Sequence, residues 1–215
     1  MTGLHYQPVW RQLPYLLGGA AETVMLTVMA FAGGLALAIA IAIARREAAN
    51  PLRKAAAGYV IFFTNTPQLS QIFAIFYCLP LLGLTFSPFL SVLLGMTLNA
   101  GAYMADIVGT EIASTPVLYH EAAATLGLGW RHTYRHIILP RALTRATRGL
   151  ENHFLLMLLG SSMASIFGVE ELTGRAYNII ALTFRSIEVI SVVAVLYVVL
   201  SLVAAVVFAR LWRLA

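Results

Sequence analysis

The chain has 215 residues, 60% of them apolar and only 11% charged, whereas soluble domains carry about 25% charged residues. This composition excludes an ordinary soluble domain and points to a polytopic membrane protein with about five or six helical crossings. A net charge of +5 raises nucleic acid as a partner, but in a membrane chain the excess belongs to basic loops on one side, so no nucleic-acid partner is expected. The single cysteine, Cys78, excludes a disulfide framework and a multi-cysteine metal site.

Five stretches are apolar and long enough to cross about 30 Å of hydrocarbon as helices. They fall at about 19–44, 55–84, 86–112, 142–169 and 187–209, within one transmembrane domain covering 1–215. A backbone in lipid must satisfy its own hydrogen bonds, and no period-two alternation supports a barrel, so the expected fold class is all-α. The first stretch is too long for a cleaved signal and lacks a basic start. It ends at Arg45-Arg46.

The second stretch is interrupted by Thr64-Asn65-Thr66-Pro67-Gln68. Proline removes a helix hydrogen bond and disfavours helix at Thr66. Such a break either offers polar groups to a solute at the midplane or is a kink held by its own hydroxyls and amides. In the third stretch Asn99, Tyr103 and Asp106 recur at i, i+4 and i+7, on one face. A carboxylate there faces the interior, or else Asp106 pairs with an arginine near the interface. In the fourth, Ser161 and Ser162 follow Gly160 and suit either a pathway lining or a helix–helix contact. Glu151, close to Arg145 and Arg148, reads as a salt-bridge partner. Glu170, Glu171 and Arg175 read as a solvated loop.

Eleven of the fourteen Arg and Lys residues cluster at 45–54, 131–148 and 210–213; only Arg11, Arg175 and Arg185 fall on the other side of five crossings. The positive-inside rule therefore places the N-terminus outside and the C-terminus in the cytoplasm. The longest loop, between the third and fourth stretches, is then cytoplasmic. Within it Pro116 suits a helix start, Ala122 to Ala124 favour helix and leave room for close approach, and Gly127 suits a left-handed helix end. Pro140 suits the start of the next helix.

That loop reads Glu121-Ala122-Ala123, three residues, Gly127, nine residues, Ile137, one residue, Leu139-Pro140. The pattern resembles the EAA signature of membrane permease subunits of ATP-binding-cassette (ABC) importers. Thr66-Pro67, Ala102-Tyr103 and Ser161-Ser162 resemble the polar amino acid branch, and the likeness runs from about Glu22 to the C-terminus. It implies a type I importer permease fold in the bacterial inner membrane. It also implies that residues 117–127 form a coupling helix seated on an ATPase subunit, with Glu121, Ala122, Ala123, Gly127 and Pro140 carrying the coupling. The implied partners are two ATPase subunits, a second permease and an extracytoplasmic solute-binding protein. The substrate pathway implied is Thr64, Asn65, Thr66, Asn99, Tyr103, Asp106, Ser161 and Ser162.

Several positions depart from the family pattern. Thr64-Asn65 stands where Arg-Gly is common, Asp106 and Gly109 where Glu and Arg are common, and Leu118-Tyr119 where Gly-Gln often precedes the signature. In the fourth stretch Leu159-Gly160-Ser161-Ser162-Met163 stands where Lys-x-x-Ser-Leu is frequent, with Leu159 at the lysine position. These changes remove charge from the pathway. No Arg or Lys lies between Lys54 and Arg131, or between Arg148 and Arg175. The second permease is therefore expected to be a different chain that supplies the charged contacts.

Catalytic readings fail. The only lysine, Lys54, follows Arg53, so there is no Gly-Lys-Ser/Thr phosphate loop, and His120-Glu121 lacks the second histidine of a zinc-protease motif. His132 and His136, among arginines, read as basic surface, and no metal site is expected. The chain binds no cofactor in this reading, and ATP and magnesium belong to the partner ATPases. The function expected is a non-catalytic permease subunit moving amino acids or related polar solutes inward. Opines or another small solute, or a non-transporting scaffold or sensor that keeps the coupling helix, are the alternatives.

Overall fold

The computed structural model describes residues 4–212. Among these the chain is helical throughout, without strands. A short helix α1 (Gln7–Arg11) leads into α2 (Leu13–Glu47), which at 35 residues is about 52 Å long and overshoots the hydrocarbon. Its buried positions, among them Leu26, Ala30, Gly34, Ala38 and Ala42, step by about one turn and are mostly small. They meet α5 (Pro88–Ala113), the most extensive helix pair of the fold. A Cβ on Gly34 would stand 2.9 Å from the Ala100 Cβ and 3.2 Å from the Gly101 nitrogen. Lipid supplies no hydrophobic drive between helices, so this close backbone approach is what stabilises the pair.

Among the described residues four helical runs are long and apolar enough to cross a membrane: Leu13–Glu47, Pro88–Ala113, Trp130–Phe167 and Ser186–Arg210. The second expected crossing differs. Instead of one helix over 55–84, α3 (Asn50–Thr64) stops at Asn65 and α4 (Gln68–Phe73) restarts after Pro67. The α4 segment continues as a π turn (Ala74–Cys78) and a 3-10 turn (Leu79–Leu82) that ends at Gly83 in the left-handed region, φ 82°.

The fourth crossing also differs from expectation, because Pro140 does not begin it. The helix starts at Trp130 as α7 (Trp130–Thr133), widens into a π turn (Tyr134–Ile138), and runs on as α8 (Leu139–Gly160) and a 3-10 segment (Ser161–Phe167). A proline ring collides with the carbonyl four residues back in a regular helix. The wider π turn just before Pro140 relieves that clash, so the helix passes through. Between α5 and α7 lies α6 (Val117–Thr125). After the 3-10 segment, α9 (Leu172–Thr183) precedes α10 (Ser186–Trp212), whose outer face of Val195, Val199, Leu202 and Val206 is exposed as a lipid-facing helix requires.

Two apolar clusters result. The main core joins α2, α3, α5 and α8; a smaller one joins Val9, Leu16, Ala20, Leu172, Ala176, Ile179, Val189 and Val193 at the opposite end. Glu171 fastens that end. It was expected in a solvated loop, yet it is fully buried. Its carboxylate caps α9 by accepting from the Thr173 and Gly174 backbone N–H groups at 2.9 Å, and also accepts from Tyr197 at 3.0 Å and Thr23 at 3.2 Å. Burial raises its proton affinity, and these four donors oppose the rise. Arg175 is likewise no loop residue. It lies over the Tyr15 ring and donates to the Tyr15 carbonyl at 3.0 Å, against Gly18 and Gly19.

Candidate functional site

The break in the second crossing leaves the Phe62, Phe63 and Thr64 carbonyls at the end of α3 without helical partners, whereas Ile61 still accepts from the Asn65 backbone N–H at 3.2 Å. Side chains around the break take each one. Thr66 Oγ1 donates to Phe62 at 2.8 Å, while Thr64 Oγ1 and Asn65 Nδ2 add second bonds to the already paired Val60 and Ile61 carbonyls at 2.7 and 2.8 Å. Phe63 accepts from Gln71 Nε2 at 3.0 Å and from Asn99 Nδ2 at 3.2 Å. Thr64 accepts from the Tyr103 hydroxyl at 3.1 Å. Gln71 also reaches Thr66 Oγ1 at 2.7 Å, and its own oxygen accepts from Asn99 Nδ2 at 3.2 Å.

The two readings of the Thr64–Gln68 run therefore coexist: the hydroxyls and amides hold the kink, and the kink brings them together with α5. Thr64, Asn65, Thr66, Asn99 and Tyr103 form one polar cluster. Asn65 is exposed, Tyr103 is 41% exposed and Asn99 is buried. Two members escaped the sequence reading. Gln71 looks like one polar residue in an apolar helix, although its position four residues after Pro67 places it one turn past the break. His153, on α8, stacks on the Tyr103 ring with centroids 5.6 Å apart, and its Nε2 is buried without a partner.

The remaining expected residues lie elsewhere. Asp106 pairs with Arg45 at 2.5 Å, so it ties the C-terminal half of α5 to the basic end of α2 and does not join the polar cluster. Seven residues separate it from Asn99, which is about 10 Å along the helix. Beside it a cavity of about 350 Å³ opens where Gly109 has no side chain. Ser161 is fully buried and donates to the Leu158 carbonyl at 2.8 Å; Ser162 donates to Leu159 at 2.9 Å. Both hydroxyls serve the change from α8 to the 3-10 turn. Glu151 makes no ion pair among the described residues, because Arg145 instead pairs with Glu111 of α5 at 2.9 Å.

The second part of the site is α6. Pro116 stands at its N-cap, and Gly127 follows its end with φ 69°. The Leu128 N–H bonds to the Ala123 carbonyl at 2.9 Å and the Gly127 N–H to the Ala124 carbonyl at 3.0 Å, a paired C-terminal closure that needs the left-handed residue. Ala123 is buried, while Val117, Leu118, Glu121, Ala122, Ala124, Thr125 and Leu126 are exposed. Leu118 and Leu126, 69% and 75% exposed, flank the small alanine surface. The exposed face is thus low in relief, with Glu121 and Thr125 as its polar members.

A helical bundle with a broken crossing, a polar cluster at the break and an uncovered small-residue helix at its basic end defines a membrane permease subunit. Residues 32–213 match the family described as binding-protein-dependent transport system inner membrane component. The chain is 32% identical over 210 residues to the glutamine transport system permease protein GlnP of Escherichia coli (strain K12), covering 97% of this chain and 96% of that one. It is 36% identical over 181 residues to the L-cystine transport system permease protein TcyB of Bacillus subtilis (strain 168), covering 84% and 77%. The crystal structure of an amino acid ABC transporter with histidines superposes over the whole of both chains with a TM-score of 0.89 at 26% identity. The chain belongs to the binding-protein-dependent transport system inner membrane component family, and it is a permease component of an ABC importer.

Proposed function

We propose that this chain is the permease subunit of an ATP-driven importer that passes amino acids from an extracytoplasmic solute-binding protein into the cytoplasm. The observation that carries this reading is the cluster at the helix break. Its donors are spent on backbone carbonyls, but the hydroxyl and amide oxygens of Asn65, Thr66 and Tyr103 keep acceptor capacity at an accessible surface. Such oxygens suit an ammonium group or a side-chain amide. The carboxylate of the same solute needs a donor, and His153 Nε2 is the buried nitrogen left over beside Tyr103. The cluster has no permanent cation, which supports a different permease chain as the second half of the pathway.

ATP and magnesium bind to two separate ATPase subunits, which dock on α6 through the face of Glu121, Ala122 and Thr125. Gly127 sets the end of that helix, and Pro140 sits in the helix that follows. The N-terminus lies outside and the C-terminus in the cytoplasm. A cysteine placed at His132 is labelled from the cytoplasm alone; labelling by an impermeant reagent on intact cells contradicts the orientation. The function is tested by reconstituting the complex with its ATPases and binding protein in proteoliposomes. Amino acids are expected to stimulate ATP hydrolysis and enter the vesicles. Hydrolysis indifferent to every amino acid, with no uptake, overturns the proposal. An active transporter containing two copies of this chain and no other permease overturns the mixed pair.

A further inference from the structure

No other described helix packs extensively along α6. The side chains that join it to the bundle are therefore few, and they sit just before the exposed docking face. Tyr119 is half-buried and turns inward. Its hydroxyl accepts from Arg141 Nη1 at 3.0 Å, and the Arg141 guanidinium carbon lies 4.7 Å from the centre of its ring. Arg141 is half-buried as well, and its Nε is buried without a partner. The neighbouring His120 ring lies edge-on to Tyr134, with centroids 6.3 Å apart, and the Tyr134 hydroxyl donates to Glu47 at the end of α2 at 2.5 Å.

We propose that Tyr119 and Arg141 form the joint through which a displacement of α6 is passed to α8, with His120, Tyr134 and Glu47 as a lighter tether to α2. This rests on the reading of α6 as the ATPase docking helix and adds the residues by which its motion leaves it. Three features support the assignment. The planar guanidinium both donates to the hydroxyl and covers the ring, so the contact resists sliding as well as separation. Arg141 follows Pro140 and the π turn, where the helix ladder is interrupted and bends at least cost. Beyond Arg141 the α-helix is regular as far as Gly160. It carries His153, twelve residues and about 18 Å on, to its contact with Tyr103 beside the break. A push on Arg141 thus reaches the polar cluster through a rigid rod. Tyr119 and Arg141 are positioning residues in this scheme, since neither touches solute or nucleotide.

The test uses the whole reconstituted complex and two readouts: the amount of ATPase subunit that co-purifies, and the solute transported per ATP hydrolysed. Tyr119→Ala is expected to keep the ATPase bound, because the residue faces the bundle, while transport per ATP falls at least about fivefold. Tyr119→Phe keeps the ring and loses the hydroxyl, and falls between. Arg141→Lys keeps the charge but not the plane, and resembles Tyr119→Ala. The double variant is no worse than the worse single one, as expected of one shared contact. If Tyr119→Ala does not fold, Tyr119→Phe and Arg141→Lys carry the test. Wild-type transport per ATP in the folded variants overturns the joint, as does additive loss in the double variant. Detachment of the ATPase by Tyr119→Phe also overturns it, making the residue part of the docking surface. Ala122→Trp, on the exposed face, checks the underlying reading separately. If the ATPase still binds that variant at wild-type levels, docking on α6 fails, whatever Tyr119 does.

Discussion

The first long helix and the second crossing traverse the same bilayer by opposite means. The α2 helix runs 35 residues without a break, and a stripe of alanines and glycines brings its backbone close to α5. The second crossing gives up its helix at Asn65, and its freed carbonyls are bound by hydroxyls and amides from three segments. Along its length the α2 solution offers a solute no free backbone group, because the helix interior bonds each one to another. The broken crossing gathers polar side chains where lipid would otherwise exclude them. Rigidity and chemistry are thus held by different helices, and α5 is the shared wall: one face receives Gly34, another presents Asn99 and Tyr103 to the break.

The largest expected effect comes from thickening the tight wall. Gly34→Leu adds a side chain where a Cβ alone would meet Ala100 and the Gly101 backbone. We expect a loss of about 3 kcal/mol, at the upper end for overpacking, seen as a collapse of the thermal midpoint in detergent. A variant that melts like the wild type shows that α2 and α5 are not in this close contact.

The broken crossing is expected to be less sensitive, because its bonds are shared. Gln71→Leu removes the amide that serves Phe63, Thr66 and Asn99, but Asn99 still reaches Phe63. A cost of about 1–3 kcal/mol follows for the acceptors left unpaired. Uptake is expected to fall with it, since Asn99 loses its side-chain partner in the cluster. Wild-type stability together with wild-type uptake in Gln71→Leu removes Gln71 from the site.

Much of this contrast was legible in the residues. The break follows from Pro67 amid threonines and an asparagine, and the helix at 117–125 follows from Pro116, the alanines and Gly127, because each of those residues acts on its own backbone. Where the outcome depended on distant partners, the sequence was silent. Glu171 looks solvated until Thr23, 148 positions away, and Tyr197 are seen around it. Pro140 reads as a helix start until the π turn before it is known. For Asp106 the residues left two readings open, the face shared with Asn99 and Tyr103 or an arginine pair; only the distant partner, Arg45, decides for the pair. His153 carries no local signal, because its place is set by how α8 lies against α5.

Glu171 provides a pH test of how α2 is fastened at the end away from its arginines. Burial raises the carboxyl above its ordinary value of 4.5, so the folded chain holds the proton more tightly than the unfolded one. That part of the stability is complete at pH below the ordinary value and is lost as pH rises through the raised one. Glu171→Gln is expected to lack this decline while keeping an oxygen for the α9 cap. Glu171→Ala loses the cap as well and costs about 1–2 kcal/mol. A wild-type chain whose stability rises with pH in that window contradicts the assigned direction.

The smallest expected effect compares two glycines along the same pair of helices. Gly34 and Gly109 both lie where α2 faces α5, but a Cβ on Gly109 would meet only the Ala42 Cβ, at 3.9 Å, with open cavity beyond. Gly109→Ala therefore removes the conformational freedom of glycine in a helix interior without a clash, and a gain of about 0.5 kcal/mol is expected. Gly34→Ala makes the same chemical change where the Ala100 Cβ stands at 2.9 Å, so its sign is expected to be opposite. Melting both variants under one condition isolates the packing term, because the propensity gain is common to the two. If the midpoints shift in the same direction, the tight and open ends of the interface are not distinct. If they part, the small-residue stripe is close-packed at Gly34 and slack at Gly109, beside the Arg45–Asp106 pair, which leaves the basic end of α2 freer to move against α5.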